Sequence, residues 1–465
     1  MAHRLKTGGR LIDRARPLGF TFDGETLGGL SGDTLASALL ANDRMLVGRS
    51  FKYHRPRGIV ASGAEEPNAL LTVGTGDRLE PNQRATTTEL TDGMVTASQN
   101  RWPSLRFDVG ALTAGISETL PAFPAGFYYK TFLWPRAAWK HVYEPVIRRA
   151  AGLGPAPHAD ARDPDSYEHF HYHTDVLVIG GGVAGIAAAG AATAGGARVM
   201  LVEQTGHWGG RALTEEDVTI DGRPAPDWAE ARIGKLGQAE NVTLRLRTMA
   251  AGLYDHGYAL LYERVADHAA DPAGAPRHRL WRVRAGQVIV ATGAIERPLT
   301  FATNDVPGVM LASAVRDYIR LWGVCPGRRA VVFANNDDAY RTALALDDAG
   351  AEVAAVLDVR PQADGALPQA VRGRGIPVRT RAGIAKVKGG QRVEGVETAL
   401  LTGTGQAGGA PETIACDLVA MSGGWSPVVH LWSHCGGKLR WDEDAAMFRP
   451  APERGQPLGH DGEPS

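Results

Sequence analysis

The sequence predicts an α/β protein built around a parallel sheet that holds a dinucleotide, preceded by a small β-rich domain. Three observations carry this prediction. The stretch Thr174-Asp175-Val176-Leu177-Val178-Ile179 is an apolar run suited to a strand buried on both faces. Gly180, Gly182 and Gly185 follow it in a G-x-G-x-x-G pattern that opens into the Ala/Gly-rich run Ile186-Ala187-Ala188-Ala189, a close-packed helix. A second apolar strand, Ala197 to Val202, then ends in Glu203, about twenty residues beyond the first glycines, where a carboxylate takes a ribose hydroxyl pair. In this pattern Gly180 allows the tight turn, Gly182 lets the backbone approach a pyrophosphate, and Gly185 lets helix and strand touch. The phosphates would rest on free N–H groups at the helix start, around Val183 and Ala184, where the helix dipole favours negative charge.

Composition narrows the class. At 465 residues the chain has room for two or three domains and a large core. Its formal net charge of −1 leaves no nucleic-acid footprint and no anionic-membrane footprint. The three cysteines, Cys325, Cys416 and Cys435, are widely spaced and form no CxxC pair, so they read as buried, inert thiols rather than metal ligands. Residues 1–20 include basic residues but no apolar core of a signal peptide, and no segment is long enough to span a bilayer. A soluble, cytoplasmic protein is expected.

The first hundred residues read as one module. Phe20 to Leu27 is a β-hairpin with Asp23-Gly24 at its turn. Asp33 to Ala41 is an N-capped helix with its apolar face at Leu35, Ala38 and Leu39, and Ala69 to Val73 is a strand. This order resembles the small 2Fe–2S domain that precedes the flavin-type fold in several amine-oxidising enzymes. There a C-x4-C-x2-C run leads into the strand. The equivalent positions here are Ala61, Glu66 and Ala69, so the module reads as a ferredoxin-like β-grasp fold without its cluster cysteines. An unrelated small β-grasp domain is the alternative. Residues 101–171 form an aromatic-rich strap with Trp102, Phe123, Phe127, Tyr128, Tyr129, Trp134, Trp139 and Tyr143, packed either on this chain or on another subunit. His158, His169, His171 and His173 sit in its linker with no acidic or thiol partner at ligand spacing, and are expected to be solvated.

The first part of the nucleotide domain is expected over 172–328. Beyond Glu203, the loop Gln204 to Arg211 ends in Gly209-Gly210-Arg211. In the two-dinucleotide flavoprotein fold such a loop wraps the adenosine half of the cofactor, with the Gly210 backbone and the Arg211 charge near the second phosphate. Trp228 to Leu236 is helical. Val242 to Met249 is an alternating strand. In the two-dinucleotide flavoprotein fold such a strand delivers its last residues to the adenine, which makes Thr248 and Met249 candidates. A β-meander over Leu253–Tyr262 and Leu280–Val283 leads to Gln287-Val288-Ile289-Val290-Ala291-Thr292-Gly293-Ala294. This run resembles the second signature of that superfamily and brings Gly293 beside the dinucleotide.

An inserted second unit is expected over 329–405. Its strand, Arg329 to Ala334, runs into Asn335-Asn336-Asp337-Asp338-Ala339-Tyr340 where glycines should recur. Side chains there fill the space of a pyrophosphate and two carboxylates repel it, so this second nucleotide site reads as lost, with Asp337 and Asp338 as helix caps. Residues 406–449 are expected to return to the first domain through Asp417 to Pro427, which resembles the strand and glycine turn, here at Gly423, that closes over the cofactor in that fold. A complete fold of this kind would next bring a Gly-Asp motif. Residues 450–465 are instead a polar tail, so the fold reads as truncated.

Residues about 5–449 together resemble the N-terminal half of the alpha subunit of heterotetrameric sarcosine oxidase. The resemblance rests on the cluster-less module, the Gly180–Gly185 loop, the Asn335–Tyr340 loop and the Ser422-Gly423-Gly424-Trp425-Ser426-Pro427 turn. It implies an oxidoreductase subunit that supports the oxidation of sarcosine to glycine with release of hydrogen peroxide and, with tetrahydrofolate, formation of methylenetetrahydrofolate. It also implies NAD without a redox role in this chain's own site, with FAD and FMN held mainly through the beta subunit, and further gamma and delta subunits. The folate-binding second half of that alpha subunit has no counterpart in these residues, which leaves open a shortened chain or a separate folate-binding chain. The residues themselves show no metal site, no Ser-His-Asp set and no acid/base dyad, hence no catalytic residue of their own. Two other readings stay open: an FAD-dependent NAD(P)H oxidoreductase with FAD in the first site, and the alpha-type subunit of a related amine or opine dehydrogenase.

Overall fold

The computed structural model describes residues 1–51, 53–112, 135–144, 154, 160–403 and 406–454. The chain divides into two compact units, one of residues 1–164 and 298–424, the other of residues 165–297 and 425–465.

In the first unit the Asp23–Gly24 turn forms as the sequence requires. Both residues take positive φ, 51° and 83°, and join the strands Asp13–Phe22 and Glu25–Ser31 in antiparallel register. These strands belong to a five-stranded sheet with Met94–Ala97, Leu70–Val73 and Glu80–Arg84. The helix Leu35–Ala41 starts at Thr34, whose side chain accepts from the Ser37 N–H while Ser37 Oγ accepts from the Thr34 N–H, a reciprocal capping box. An apolar face at three positions is expected of this helix, but all seven residues are buried.

The second sheet of this unit is wholly parallel, ordered Val309–Leu311, Leu418–Ser422, Arg329–Ala334, Glu352–Asp358, Val378–Thr380. Its strand composition explains its burial: Ala330 to Ala334 and Leu418 to Ser422 are apolar or small and lie fully inside. Two corrections to the sequence reading arise here. Leu418–Ser422 does not rejoin the first nucleotide sheet; it pairs between the strands at 309–311 and 329–334, and the crossing to the second unit comes at Trp425. The helix Ala312–Trp322 likewise folds with this sheet rather than with the domain that precedes it.

The second unit holds a six-stranded sheet ordered Val242–Arg245, Val199–Val202, Tyr167–Ile179, His278–Val290, Tyr258–Arg264, Thr248–Tyr254. The first four strands are parallel and the last two close the sheet as an antiparallel meander. Alternate residues serve two cores. Val178, Val199 and Leu201 pack with Ile186 and Trp228 on the helical side, whereas Leu177, Ile179, Met200 and Val202 pack with Leu261, Trp281 and Val283 on the other. Each large side chain so buried contributes roughly 1.5–3 kcal/mol.

Three expectations change in this unit. The histidines do not lie in a linker: Tyr167–Ile179 is one 13-residue strand, and His169, His171 and His173 stand exposed on one face of it, because residues 167–174 pair with 278–285 of the neighbouring strand. That neighbour is itself continuous over His278–Val290, so the meander's last strand and the strand before Ala291-Thr292-Gly293 are one. Val242–Met249 is not one strand. Arg247 adopts φ 52°, its N–H bonds to the Thr205 carbonyl at 2.8 Å, and Thr248 opens the next strand. His158 and much of the aromatic strap, from Phe123 to Trp134, fall outside the described residues; Trp102 is 68% exposed and Trp139–Tyr143 forms one π-helical turn. No helix among the described residues is long and apolar enough to cross a membrane.

The three thiols are buried, and burial pushes Cys325 up to about 11 and Cys416 up to about 12, so they stay protonated at neutral pH. Within the first unit, the small domain is tied to the loop before Val309 through Asp305. Arg55 Nε and Nη2 donate to its two oxygens at 2.6 and 2.7 Å, and Arg57 Nη1 donates as well. Burial acts to raise the Asp305 pKa, but these hydrogen bonds and charges outweigh it and take it from 3.8 down to about 2. A carboxyl held low in the folded state stabilises it above its ordinary pKa and loses that contribution as pH falls through the folded value. Asp305→Asn is therefore expected to lower Tm at pH 7 and to flatten the loss of Tm between pH 3.8 and about 2. Parallel acid limbs for the two proteins in a thermal-unfolding series would show that Asp305 does not tie the domains.

Candidate dinucleotide site

The site grows from the crossing of one strand and one helix. After Ile179 the chain turns at Gly180, φ 113°, and enters the helix Val183–Ala194 with Gly182 at its N-cap. Gly185 faces the turn so closely that a Cβ there would lie 1.8 Å from the Gly180 carbonyl oxygen. A Cβ on Gly180 would meet the Ala291 carbonyl at 2.2 Å. Gly182 differs: a Cβ on it would meet nothing within 4 Å. Two glycines thus serve the protein's own packing, and the third borders open space beside the first helical N–H groups, of Val183 and Ala184, which have no partner within the helix. No side chain caps this helix start. A pyrophosphate's shape and charge suit such a cradle.

Glu203 ends the neighbouring strand and is 9% exposed. Its Oε2 accepts from the Gly181 N–H at 2.7 Å, and its Oε1 accepts from the Thr205 N–H at 2.9 Å and the Thr205 hydroxyl at 3.0 Å. The carboxylate is thereby fixed against the glycine loop. The following loop is laced to it as well: the Gly209 N–H donates to the Gly181 carbonyl at 2.8 Å, Gly209 and Gly182 form a parallel bridge, and Gly210 lies beside Gly182. Gln204 is exposed. Arg211 stacks over the Trp425 ring at 5.1 Å from the centroid and lies 3.7 Å from Glu215. Thr248 is buried and donates its N–H to the Glu203 carbonyl at 2.8 Å, while Met249 is 44% exposed. On the other side Gly293, φ 70°, accepts from the Val428 N–H at 3.0 Å, and the Thr292 hydroxyl donates to the Val428 carbonyl at 2.8 Å.

The second unit therefore gathers Gly180, Gly182, Val183, Ala184, Gly185, Glu203, Gly210 and Thr248 around one loop crossing, with Gln204, Arg211, Met249 and Gly293 on its flanking segments. Gly423 is a residue of the first unit, where Asn335 Nδ2 donates to its carbonyl at 3.3 Å. Sequence reasoning missed Gly181, Thr205, Trp208 and Trp425. Thr205, two residues after Glu203, could have been read as a local hydroxyl partner. A Cβ on Gly181 would strike Trp208 at 2.5 Å, a contact with no sequence signal.

The corresponding loop of the first unit is closed by its own side chains. Asn336 Nδ2 donates to Ser422 Oγ at 2.9 Å, and Asn336 Oδ1 accepts from the Asp338 N–H at 3.1 Å. Asp337 and Asp338 do not cap the helix through their side chains, as the sequence suggests. Asp338 pairs with the buried Arg316 at 3.0 Å and with Arg341 at 3.2 Å, and Asp337 pairs with Arg360 at 2.7 Å. The Tyr340 hydroxyl donates to Asp358 at 2.7 Å. The expected repulsion by two carboxylates is met by three arginines, and side-chain volume is what disfavours a pyrophosphate there.

The family model for pyridine nucleotide-disulphide oxidoreductases matches residues 174–445 of this chain. The chain belongs to that family. A second model, for a 2Fe-2S iron-sulfur cluster binding domain, matches residues 15–101. This oxidoreductase-family chain is 50% identical over 448 residues to a protein named sarcosine oxidase subunit alpha from Rhizobium meliloti (strain 1021), covering 96% of this chain and 44% of the relative. It is 37% identical over 443 residues to one of the same name from Corynebacterium sp. (strain P-1), covering 94% and 40%. The chain thus spans less than half the length of these curated relatives. Among solved structures, L-proline dehydrogenase from P.horikoshii superposes with a TM-score of 0.62 at 21% identity, over 97% of this chain and 68% of that one, which shows a shared fold. The residues of the first module do not fit an iron–sulfur cluster: Ala61, Glu66 and Ala69 stand at the ligand spacing, and residues 15–101 contain no cysteine.

Two glycine substitutions separate packing from binding. Gly185→Ala is expected to misfold or lose several kcal/mol of stability, because a backbone oxygen cannot move away from the new methyl. Gly182→Ala is expected to keep Tm within about 2 °C, as its methyl enters open space, while weakening dinucleotide binding about tenfold or more. Paired thermal unfolding and titration calorimetry check both. Equal loss of Tm in the two variants would show that Gly182 is a packing position.

Proposed function

We propose that the chain is the NAD-binding part of an alpha-type subunit of a sarcosine oxidase. The enzyme would support oxidative demethylation of sarcosine to glycine with release of hydrogen peroxide and, with tetrahydrofolate, formation of methylenetetrahydrofolate. The observation that carries this reading is one open glycine cradle and one self-filled loop in a chain half identical to a sarcosine oxidase alpha subunit. A flavoprotein that passes hydride between two dinucleotides needs both loops open, which weighs against a self-sufficient NAD(P)H oxidoreductase.

In this reading the bare Cα of Gly182 and the N–H groups of Val183 and Ala184 receive the pyrophosphate, with Gly210 and Arg211 toward its second phosphate. Glu203 takes the ribose hydroxyls. Its Oε2 can accept again beside the bond from the Gly181 N–H, while Oε1 keeps both Thr205 donors, so ribose binding leaves the loop intact. Gln204, Thr248 and Met249 flank the adenine side. Gly293 marks a turn at which the resemblance places the cofactor. NAD held here supplies a fixed anionic ligand rather than redox chemistry. The oxidation belongs to FAD and FMN held mainly through a beta subunit, in an assembly with gamma and delta subunits and without nucleic acid or membrane partners.

Denaturing the purified chain should release colourless NAD; release of yellow FAD would overturn the assignment of the site. Glu203→Ala is expected to weaken NAD binding by about 1–3 kcal/mol, the cost of bonds lost to a charged group, and to erase a preference for NAD over NADP. Calorimetry giving equal affinities for both nucleotides in wild type and variant would place the ribose elsewhere. For the whole enzyme, sarcosine-dependent peroxide release should be absent from this chain alone and present on co-expression with a flavin-bearing partner. Release by the isolated chain at the assembled enzyme's rate would end the subunit reading.

A further inference from the structure

We propose that the cluster loop of the 2Fe–2S-like module survives as an anion cradle, which the chain fills with its own Glu66 carboxylate. In iron–sulfur domains, backbone N–H groups of the ligand loop bond to the cluster's sulfurs, so a loop that loses its cluster strands buried donors around an empty centre. Here those donors are all directed at one side chain. Glu66 is 1% exposed. Its Oε2 accepts from the N–H groups of Val60 and Ala61 at 2.8 and 2.7 Å, and its Oε1 accepts from those of Asn68 and Ala69 at 2.7 and 3.0 Å. Two donors therefore reach each oxygen, from both arms of the loop. Two of the four belong to Ala61 and Ala69, which stand with Glu66 itself at the C-x4-C-x2-C spacing.

The cradle also seats the module on the rest of its unit. The Ala61 carbonyl accepts from the buried Tyr318 hydroxyl at 2.9 Å, the Val60 carbonyl from the Leu311 N–H at 2.8 Å, and Ser62 Oγ donates to Asp317 at 2.7 Å. The residues whose N–H groups hold the carboxylate thus present their carbonyls to the strand Val309–Leu311 and the helix Ala312–Trp322. Glu66 is a positioning residue for this joint, with the structural role of the cluster and none of its electron chemistry. Burial raises its pKa and the four N–H bonds oppose that rise. The inference rests on the geometry of residues 59–69 and is independent of which nucleotide the other unit binds.

The test compares Glu66→Gln and Glu66→Ala with wild type in the full chain, by thermal unfolding and hydrogen exchange. The Gln amide has the same shape but turns an NH2 group toward two N–H donors. Its Tm should fall by roughly 5 °C or more, with faster exchange both at 60–69 and at 311–318. Glu66→Ala vacates the cradle, and added formate should restore its Tm in a saturable way, while neutral formamide should not and neither should move wild type. A Glu66→Gln variant with wild-type Tm and exchange would overturn the proposal, as would formate raising wild type and Glu66→Ala alike. Where Glu66→Ala is not recovered folded, the Glu66→Gln measurement decides. Iron and acid-labile sulfide in stoichiometric amounts in the wild-type protein would also overturn it.

Discussion

The second unit depends on one close approach. The helix Val183–Ala194 crosses the turn after Ile179 with no room for a side chain at Gly185, because the Gly180 carbonyl occupies the place of its Cβ. That contact fixes the helix start over the ends of the strands. It also brings Gly181 within reach of Glu203 and lets the Gly209 N–H bond to the Gly181 carbonyl. Three separate chain segments are thereby locked around Gly182, the one position in the loop crossing where the protein leaves space beside unpartnered donors.

The two parallel sheets show how little the frame dictates the chemistry. Each has a strand, a turn and a helix in the same order, Tyr167–Ile179 into Val183–Ala194 and Arg329–Ala334 into Asp338–Asp348. In the first, absent side chains leave donors for a ligand. In the second, the Asn336 side chain takes the Asp338 N–H, and two aspartates are neutralised by Arg316, Arg341 and Arg360. A buried arginine facing such a carboxylate stabilises the loop only while both partners remain, since loss of either leaves a desolvated charge.

Carboxylates bound to backbone N–H groups recur in both units. Glu203 joins two loops beside the open glycine cradle, and Glu66 gathers the loop of residues 60–69. An ionised carboxylate suits this work because its two oxygens accept from several donors at once, and charge-assisted bonds are roughly twice as strong as neutral ones.

The sequence by itself determined the parts that rest on local pattern. The glycine loop, the acid after the second strand, the Asp23–Gly24 turn, the capped helix and the vacant cysteine positions are all legible because each is set by residues within about twenty positions of one another. The family was legible for the same reason. Tertiary structure alone decided the rest. Whether Leu418–Ser422 joins one sheet or the other depends on partners about 90 to 110 residues away, and an apolar strand pairs equally well in either. The extension of the central strand through His169, His171 and His173 is stabilised by a neighbour more than a hundred residues distant, which polar strand residues do not announce. The stacking of Arg211 on Trp425 has no sequence trace for the same reason. Nor does Glu66 declare its role: the second of two adjacent glutamates comes to lie at the centre of four N–H groups only once the loop around it has closed.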